Sequence, residues 1–291
     1  MGVAAIVVDY RAPTLERLVG ELVEAGISQV VVVDNAALEA ARREEATPSG
    51  EIIRIAAGRN LGYGAAINWA VSLCMFDSIL LLNPDVSIGK EAIAALEATL
   101  SSAPDVAAVG PLTRTDSGSP YPSFRSFPSL FDAGLHAVFG QVWPSNPGTR
   151  RYRLEALAPR AASEVPWISG SCMMLSRSWF RRVGGFDPAY FMYLEDVDLC
   201  RRLHLAGGRV IYDPEAAIIH YGQLSSDRVR FRALLYHHRS LLRYGLRDSR
   251  SLPLGALVAA GVATRFAVAA ARAIAPGGLL SRRGGSGESN W

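Results

Sequence analysis

Short, nearly unbroken apolar runs recur along the first 110 residues, and each is followed by a polar turn and an amphipathic stretch. Val3–Val8, Val30–Val33, Ile52–Ile55, Ser78–Leu82 and Val106–Val109 have the length and β-branching of strands buried on both faces of a parallel sheet. Between the first two, Leu15, Leu18, Val19, Leu22 and Val23 keep helical spacing, Pro13 sits at the helix entrance and Gly26 at its exit. This is a β-α-β unit, which implies a right-handed crossover. Further helices are expected around Leu38 to Glu45, from the Gly62 loop through Met75, and from Lys90 to Leu100. Ligands of open parallel sheets bind beyond the carboxyl ends of the strands, where Asp9, Asp34 and Asp85 all fall.

Residues 111–164 change character: Pro, Ser, Gly and Arg become frequent and periodicity fades, with a short helix expected at Leu130 to Phe139. An excursion of that length reads as a lid or binding surface. Order returns at Val165 to Leu175, read as one strand entered through glycine and small residues, then a short helix (Arg177 to Val183), a helix ending near Ala206, and strands at Arg209 to Tyr212 and Ala217 to His220. From residue 227 to 275 the chain reads as helical, first basic and then small and apolar, with Arg265 and Arg272 interrupting the apolar part. Arg265 leaves a run shorter than the ~20 apolar residues of a membrane span, so this helix either lies in the plane of a membrane surface or packs on the domain. The tail 276–291, rich in Gly, Ser and Arg, is expected to be disordered.

A chain of 291 residues that is 49% hydrophobic can bury a large core. A net charge of +3 argues against a dedicated nucleic-acid binder. Cys74, Cys172 and Cys200 are odd in number, far apart and flanked by apolar residues, which suggests reduced thiols and a cytoplasmic protein. No basic segment or cleavage site precedes Val3, so no secretory signal is expected.

The densest chemistry lies in Glu195, Asp196 and Asp198, which follow the aromatic, glycine-rich approach Gly184-Gly185-Phe186-Asp187 and Tyr190 to Tyr193. At a helix start, free backbone N–H groups and the dipole favour ionised carboxylates, one of which could act as a base. The plainer reading is a solvated helix start with Arg201 or Arg202 as ion-pair partners. Asn83-Pro84-Asp85 either presents a carboxylate to a hard cation or forms an ordinary turn. His220 is a structural histidine unless it faces Asp85. Gly62-Tyr63-Gly64 lacks the third glycine and the first-turn position of a dinucleotide fingerprint. Neither a Gly-x-Ser-x-Gly elbow nor a phosphate-binding Gly-x-x-x-x-Gly-Lys-Ser/Thr loop occurs.

Taken in order, Val31-Val32-Val33-Asp34-Asn35, Asn60-Leu61-Gly62-Tyr63-Gly64-Ala65-Ala66-Ile67-Asn68, Leu80-Leu81-Leu82-Asn83-Pro84-Asp85, Gly170-Ser171-Cys172-Met173-Met174-Leu175, Gly184-Gly185-Phe186-Asp187 and Tyr193 to Arg202 resemble the inverting glycosyltransferases of family 2, in particular bacterial rhamnosyltransferase-like members. The resemblance covers about residues 3 to 225. It implies an α/β fold of GT-A type, a Rossmann-like mixed sheet flanked by helices, with a C-terminal helical extension. The glycosyltransferase domain would span 1–226, with a nucleotide-sugar half (1–110) and an acceptor and catalytic half (111–226).

By the same resemblance a nucleotide-diphosphate-sugar, with dTDP-rhamnose as the candidate, would be bound by Asp9, Tyr10, Asp34, Arg59, Asn60, Gly64, Asn83 and Asp85. Asp85 and His220 would hold a divalent cation, Mg²⁺ or Mn²⁺. Asp196 matches the general base, with Glu195 in support. Trp167, Gly170, Ser171 and Tyr193 would meet a glycan or lipid-linked acceptor. The sequence departs from the family pattern at Asn83, where the first acid of an Asp-x-Asp motif stands, at Ala36-Ala37 in place of Gly-Ser, and at Asp9 in place of Thr. A cytoplasmic location, peripheral on the inner face of the membrane, and a homodimer are the accompanying expectations. A non-catalytic sugar-nucleotide-binding module is the alternative in another class, and an oxidoreductase built on the Gly62 loop is a third.

Overall fold

A computed structural model describes residues 2–127, 159–222, 227–247 and 252–274. The described chain divides into two compact units: 1–191 with 195–223, and 192–194 with 224–291.

The first unit is organised by a mixed sheet. Its parallel heart is β1 (Val3–Asp9) between β2 (Gln29–Asp34) and β5 (Ser78–Leu82), with β4 (Gly50–Ala57) outside β2. On the other flank β12 (Cys172–Ser176) runs antiparallel between β5 and β7 (Val106–Arg114), and β13 (Arg209–His220) lies parallel to β7. Every β1 residue is buried, because side chains alternate between two covered faces. Val3, Ala5 and Val7 pack with Leu18 and Leu22 of α1 (Leu15–Glu24) and with Ile93 and Leu96 of α3 (Lys90–Leu100). Ala4, Ile6 and Val8 pack with Ala66, Ile67 and Ala70 of α2 (Tyr63–Val71) and with Leu199, Cys200 and Leu203 of α5 (Glu195–Leu205). The short α4 (Arg177–Arg182) follows β12, with the Ser176 hydroxyl accepting from Trp179 N at its start. All three cysteines are free and buried.

Three expectations are corrected. The strand expected over Val165 to Leu175 is two, β11 (Trp167–Ile168) and β12, because the chain turns at Gly170 and the two segments join different sheets. The helix expected over Leu38 to Glu45 is a strand, β3 (Ala40–Thr47), antiparallel to β4 at the sheet edge. Its Ala, Arg and Glu residues favour helix, but they carry no apolar stripe to bury, and the Pro48-Ser49-Gly50 turn returns the chain as a hairpin. A Cβ on Gly50 would lie 1.7 Å from Ser28 O, so only glycine fits there. The charged, exposed β3 also suits an edge that must not recruit further strands. The strands at 209–212 and 217–220 are one strand, β13, whose register against β7 shifts between Asp213 and Ala217. The irregularity lets a strand containing Pro214 continue.

Within residues 111–164, β8 (Pro120–Tyr121) pairs with β7, β9 (Phe124–Arg125) pairs with β11 (Trp167–Ile168), and β10 (Ser163–Glu164) pairs with β13. The two-residue β6 (Val86–Ser87) pairs with the end of β13. The helix expected at Leu130 to Phe139 and the tail 276–291 lie outside the described residues.

The second unit contains α6 (Asp227–Arg247) and α7 (Leu252–Ile274). Leu234, His238, Leu241 and Tyr244 of α6 and Val258 of α7 are buried, and His238 meets Phe266 edge-on at 5.3 Å. Among the described residues no helix is long and apolar enough to cross a membrane.

Candidate active site

Three strand ends of the parallel heart present carboxylates on one side of the sheet. Asp9 and Asp34 are register partners, and Asn35 N donates to Asp9 O at 2.8 Å. Asp9 accepts from Arg11 N and Ala12 N at 3.1 and 2.9 Å, and Asp34 Oδ1 accepts from Ala36 N and Ala37 N at 2.8 and 3.0 Å. Each carboxylate therefore shapes its own loop. Burial raises the Asp9 pKa, offset by those two N–H donors, and the nearby Asp34 charge adds to the rise. Asn35 secures the next loop: its Nδ2 donates to Gly62 O, and its Oδ1 accepts from Leu61 N. Asn60 Oδ1 accepts from Gly62 N at 2.8 Å, while Arg59, Asn60 and Tyr10 are exposed. Gly62 has φ +81° and Gly64 is buried, and a Cβ on Gly64 would lie 2.8 Å from Phe186 Cβ. The sequence reading gave Gly64 to the donor; in the fold its missing side chain makes room for Phe186.

The third strand end carries the candidate cation pair. His220 Nε2 lies 3.2 Å from Asp85 Oδ1, and Tyr221 N donates to Asp85 O at 2.9 Å. Both His220 ring nitrogens are buried without a hydrogen-bond partner, since the close Asp85 oxygen lies off a hydrogen-bonding direction. A buried imidazole with idle nitrogens beside a carboxylate fits a divalent cation. Among the described residues no cluster of three or more His, Cys, Asp or Glu could hold an ion, so this pair would rely on substrate oxygens to complete the shell. Asn83 is tied through its backbone, N to Ser171 O at 2.8 Å.

The acidic helix start supplies the other half. Asp196 Oδ2 accepts from Gly170 N at 3.0 Å and its Oδ1 from Val197 N at 2.8 Å. Tyr63 OH donates to Gly170 O at 2.5 Å, so one glycine joins α2, the β11–β12 turn and α5. Glu195 is 7% exposed and its Oε2 has no hydrogen-bond partner. Burial pushes both carboxyls up, Glu195 well above the ordinary range, with the Asp196 charge as its second cause. Two backbone donors and the Arg125 charge draw Asp196 back down, whereas Glu195 gains little such relief. The pair is thus unequal: burial acts on both, but only Asp196 has two N–H groups, Gly170 and Val197, to hold a negative charge. Asp198 is fully buried and pairs with Arg202, Nε to Oδ2 at 2.7 Å, while Arg202 also donates to Val183 O at 2.6 Å. Of the plain reading, the ion pair with Arg202 is present at Asp198, but the pair's carboxylate is buried and not solvated.

Two residues that the sequence reading passed over join the halves. The Tyr121 ring meets His220 edge-on at 5.1 Å, and its phenol feels the charges of Arg125, Asp85 and Asp196 together. Geometry links the two strand regions at one turn: Gly170 N donates to Asp196 and the neighbouring Ser171 O accepts from Asn83 N, two residues before Asp85. Tyr121 and Arg125 stand in a stretch without periodicity, so no sequence signal marked them. Of the expected acceptor residues, Trp167 Nε1 donates to Ser126 O at 2.8 Å and the ring packs on the core. Ser171 is buried, its hydroxyl accepting from Ser169 Oγ at 3.0 Å. Tyr193 falls in the second unit, 5.7 Å edge-on to His237, and both Tyr193 and Leu194 take left-handed backbone, φ +68° and +62°, just before Glu195. Such strain, about 1–3 kcal/mol per residue, concentrates at functional sites.

Comparison with known proteins decides the family. The family model described as "Glycosyltransferase like family 2" matches residues 2–234. The chain belongs to this family. It is 39% identical over 242 residues to the N-acetylglucosaminyl-diphospho-decaprenol L-rhamnosyltransferase of Mycobacterium tuberculosis, covering 78% of each chain. It is 34% identical over 169 residues to rhamnosyltransferase WbbL of Escherichia coli, 58% of this chain and 61% of the relative. Among solved structures, GalNAc-T7 with UDP, GalNAc and Mn²⁺ superposes with a TM-score of 0.55 at 14% identity, over 90% of this chain and 54% of that one. Mannosyltransferase PcManGT of Pyrobaculum calidifontis, in complex with GDP-Man and Mn²⁺, gives 0.53 at 18% identity, over 94% and 76%. The fold is the expected GT-A type, and the family 2 chain is a glycosyltransferase.

Proposed function

We propose that this glycosyltransferase moves L-rhamnose, with inversion, from a nucleotide-diphosphate-rhamnose such as dTDP-rhamnose to a hydroxyl of lipid-diphosphate-linked N-acetylglucosamine. The name of the mycobacterial relative at 39% identity supports the sugar and the acceptor. The observation that carries the chemistry is the Asp196 carboxylate held on the Gly170 N–H, at the same turn whose Ser171 O accepts from Asn83 N two residues before Asp85.

One displacement suffices. The acceptor oxygen forms its bond to the anomeric carbon as the bond to the diphosphate breaks, and the acceptor proton passes to Asp196. A second carboxylate flanking the bond, as glycoside hydrolases use, is not needed. The base is assigned to Asp196, whose carboxylate two N–H groups hold in place, while one Glu195 oxygen has no donor. Tyr63 and Gly170 fix the Asp196 carboxylate, and Tyr63 stays a donor because burial raises its pKa well above the phenol range. Asp9, Asp34, Arg59 and Asn60 hold the nucleoside at the strand ends. Asp85 and His220 would hold Mg²⁺ or Mn²⁺, which supplies charge neutralisation for the departing diphosphate.

The test is release of nucleoside diphosphate from dTDP-rhamnose with a lipid-linked N-acetylglucosamine acceptor, and the anomeric configuration of the product by NMR. Asp196→Asn is expected to lower kcat by about 10²–10⁴-fold. Normal turnover by that variant, or retention of configuration, removes this mechanism.

A further inference from the structure

The inward side of α6 is occupied: Leu234, His238, Leu241 and Tyr244 are buried, and Ser240 Oγ donates to Met192 O at 2.8 Å. Its other side carries exposed residues. Leu235 is 44% exposed and Leu246 40% exposed, and Arg232, Arg239 and Arg243 are exposed as well. At 3.6 residues per turn these five positions fall on one face of the helix. The sequence of α6 contains a single acid, Asp227 at its start. Charge along this face is thus one-sided, while Val258 of α7 is buried and Phe266 faces His238.

Resting on the reading of a lipid-linked acceptor, we infer that this face of α6 docks the enzyme on a bilayer that carries anionic headgroups. Guanidinium groups are drawn to the negative surface potential of such a membrane. Leu235 and Leu246 enter the acyl boundary while the arginines reach back to phosphate level. A nucleic-acid backbone would satisfy the arginines but leave both leucines in water, and a net charge of +3 gives such binding little help. No described helix spans a bilayer, so the contact lies in the plane of the surface.

Sedimentation of the full chain with phosphatidylcholine vesicles, with and without phosphatidylglycerol, tests this. Binding is expected only with phosphatidylglycerol, falling as salt rises. Arg232→Gln/Arg239→Gln is expected to weaken it by about fivefold per arginine removed, and Leu235→Glu to weaken it independently. Both variants should keep the wild-type Tm and the wild-type rate on a water-soluble, short-chain acceptor. Vesicle binding is measured without donor, so its result stands whichever sugar is transferred. Equal sedimentation with both vesicle types, wild-type binding by the variants, or pelleting abolished by nuclease overturns the inference.

Discussion

The two sets of carboxylates in the first unit are held in opposite ways. Asp9 and Asp34 sit at strand ends and take N–H donors two or three residues further along their own loops. Asp196 takes one donor from Gly170, 26 residues away, which is itself held by Tyr63, 107 residues from it. Glu195 has an oxygen with no donor at all. A locally satisfied carboxylate is a stable part of the scaffold. Burial raises the pKa in both sets, but furthest for Glu195, where one oxygen has no donor to offset it, and such perturbed carboxyls mark functional sites.

The sharpest way to break that difference is to detach the loop on which both sets depend. Gly62 has φ +81°, and a Cβ there would meet Phe191 O at 2.4 Å. Gly62→Ala is therefore expected to cost about 2–3 kcal/mol, read as a lower midpoint in urea with an unchanged slope.

A subtler probe titrates the acidic helix start. Because the folded pKa of Glu195 lies above its unfolded one, the folded state binds a proton that the unfolded chain releases. Stability attached to this group is present at low pH and declines as pH rises from the ordinary carboxylate range through the raised pKa. Glu195→Gln has no proton to release, so its urea stability should fall less between about pH 5 and pH 8 than that of the wild type. Parallel slopes would mean that Glu195 is ionised in the fold. The smallest effect belongs to the locally organised half. Arg54 and Glu16 pair at 2.7 Å on the surface, with Glu16 72% exposed. Arg54→Ala is expected to cost less than about 1 kcal/mol in the same melts.

Sequence periodicity captured the parallel heart because a strand buried on both faces must be apolar throughout, as Val3–Asp9 and Ser78–Leu82 are up to their ends. Lys90–Leu100 was legible for the same local reason. It failed at Ala40–Thr47, where exposed residues with helical propensity are claimed by an edge pairing that no local pattern encodes. In the site, Asp85, Asp196 and His220 were legible through motif order. Tyr121 and Arg125 were not, since their relation to His220 and Asp196 exists only after β8 and β9 have found their partners. Nor could residue types alone tell Glu195, with one oxygen lacking a donor, from Asp196, held by two N–H groups, and Asp198, paired with Arg202. Burial and donor geometry make that division.

The central claim is that one carboxylate grips the donor and another takes the proton. Donor affinity measured by calorimetry with Mn²⁺ present, for Asp85→Asn and Asp196→Asn side by side, tests it most directly. The account predicts at least tenfold weaker donor binding for Asp85→Asn and wild-type binding for Asp196→Asn. Equal donor affinity in the two variants would contradict it.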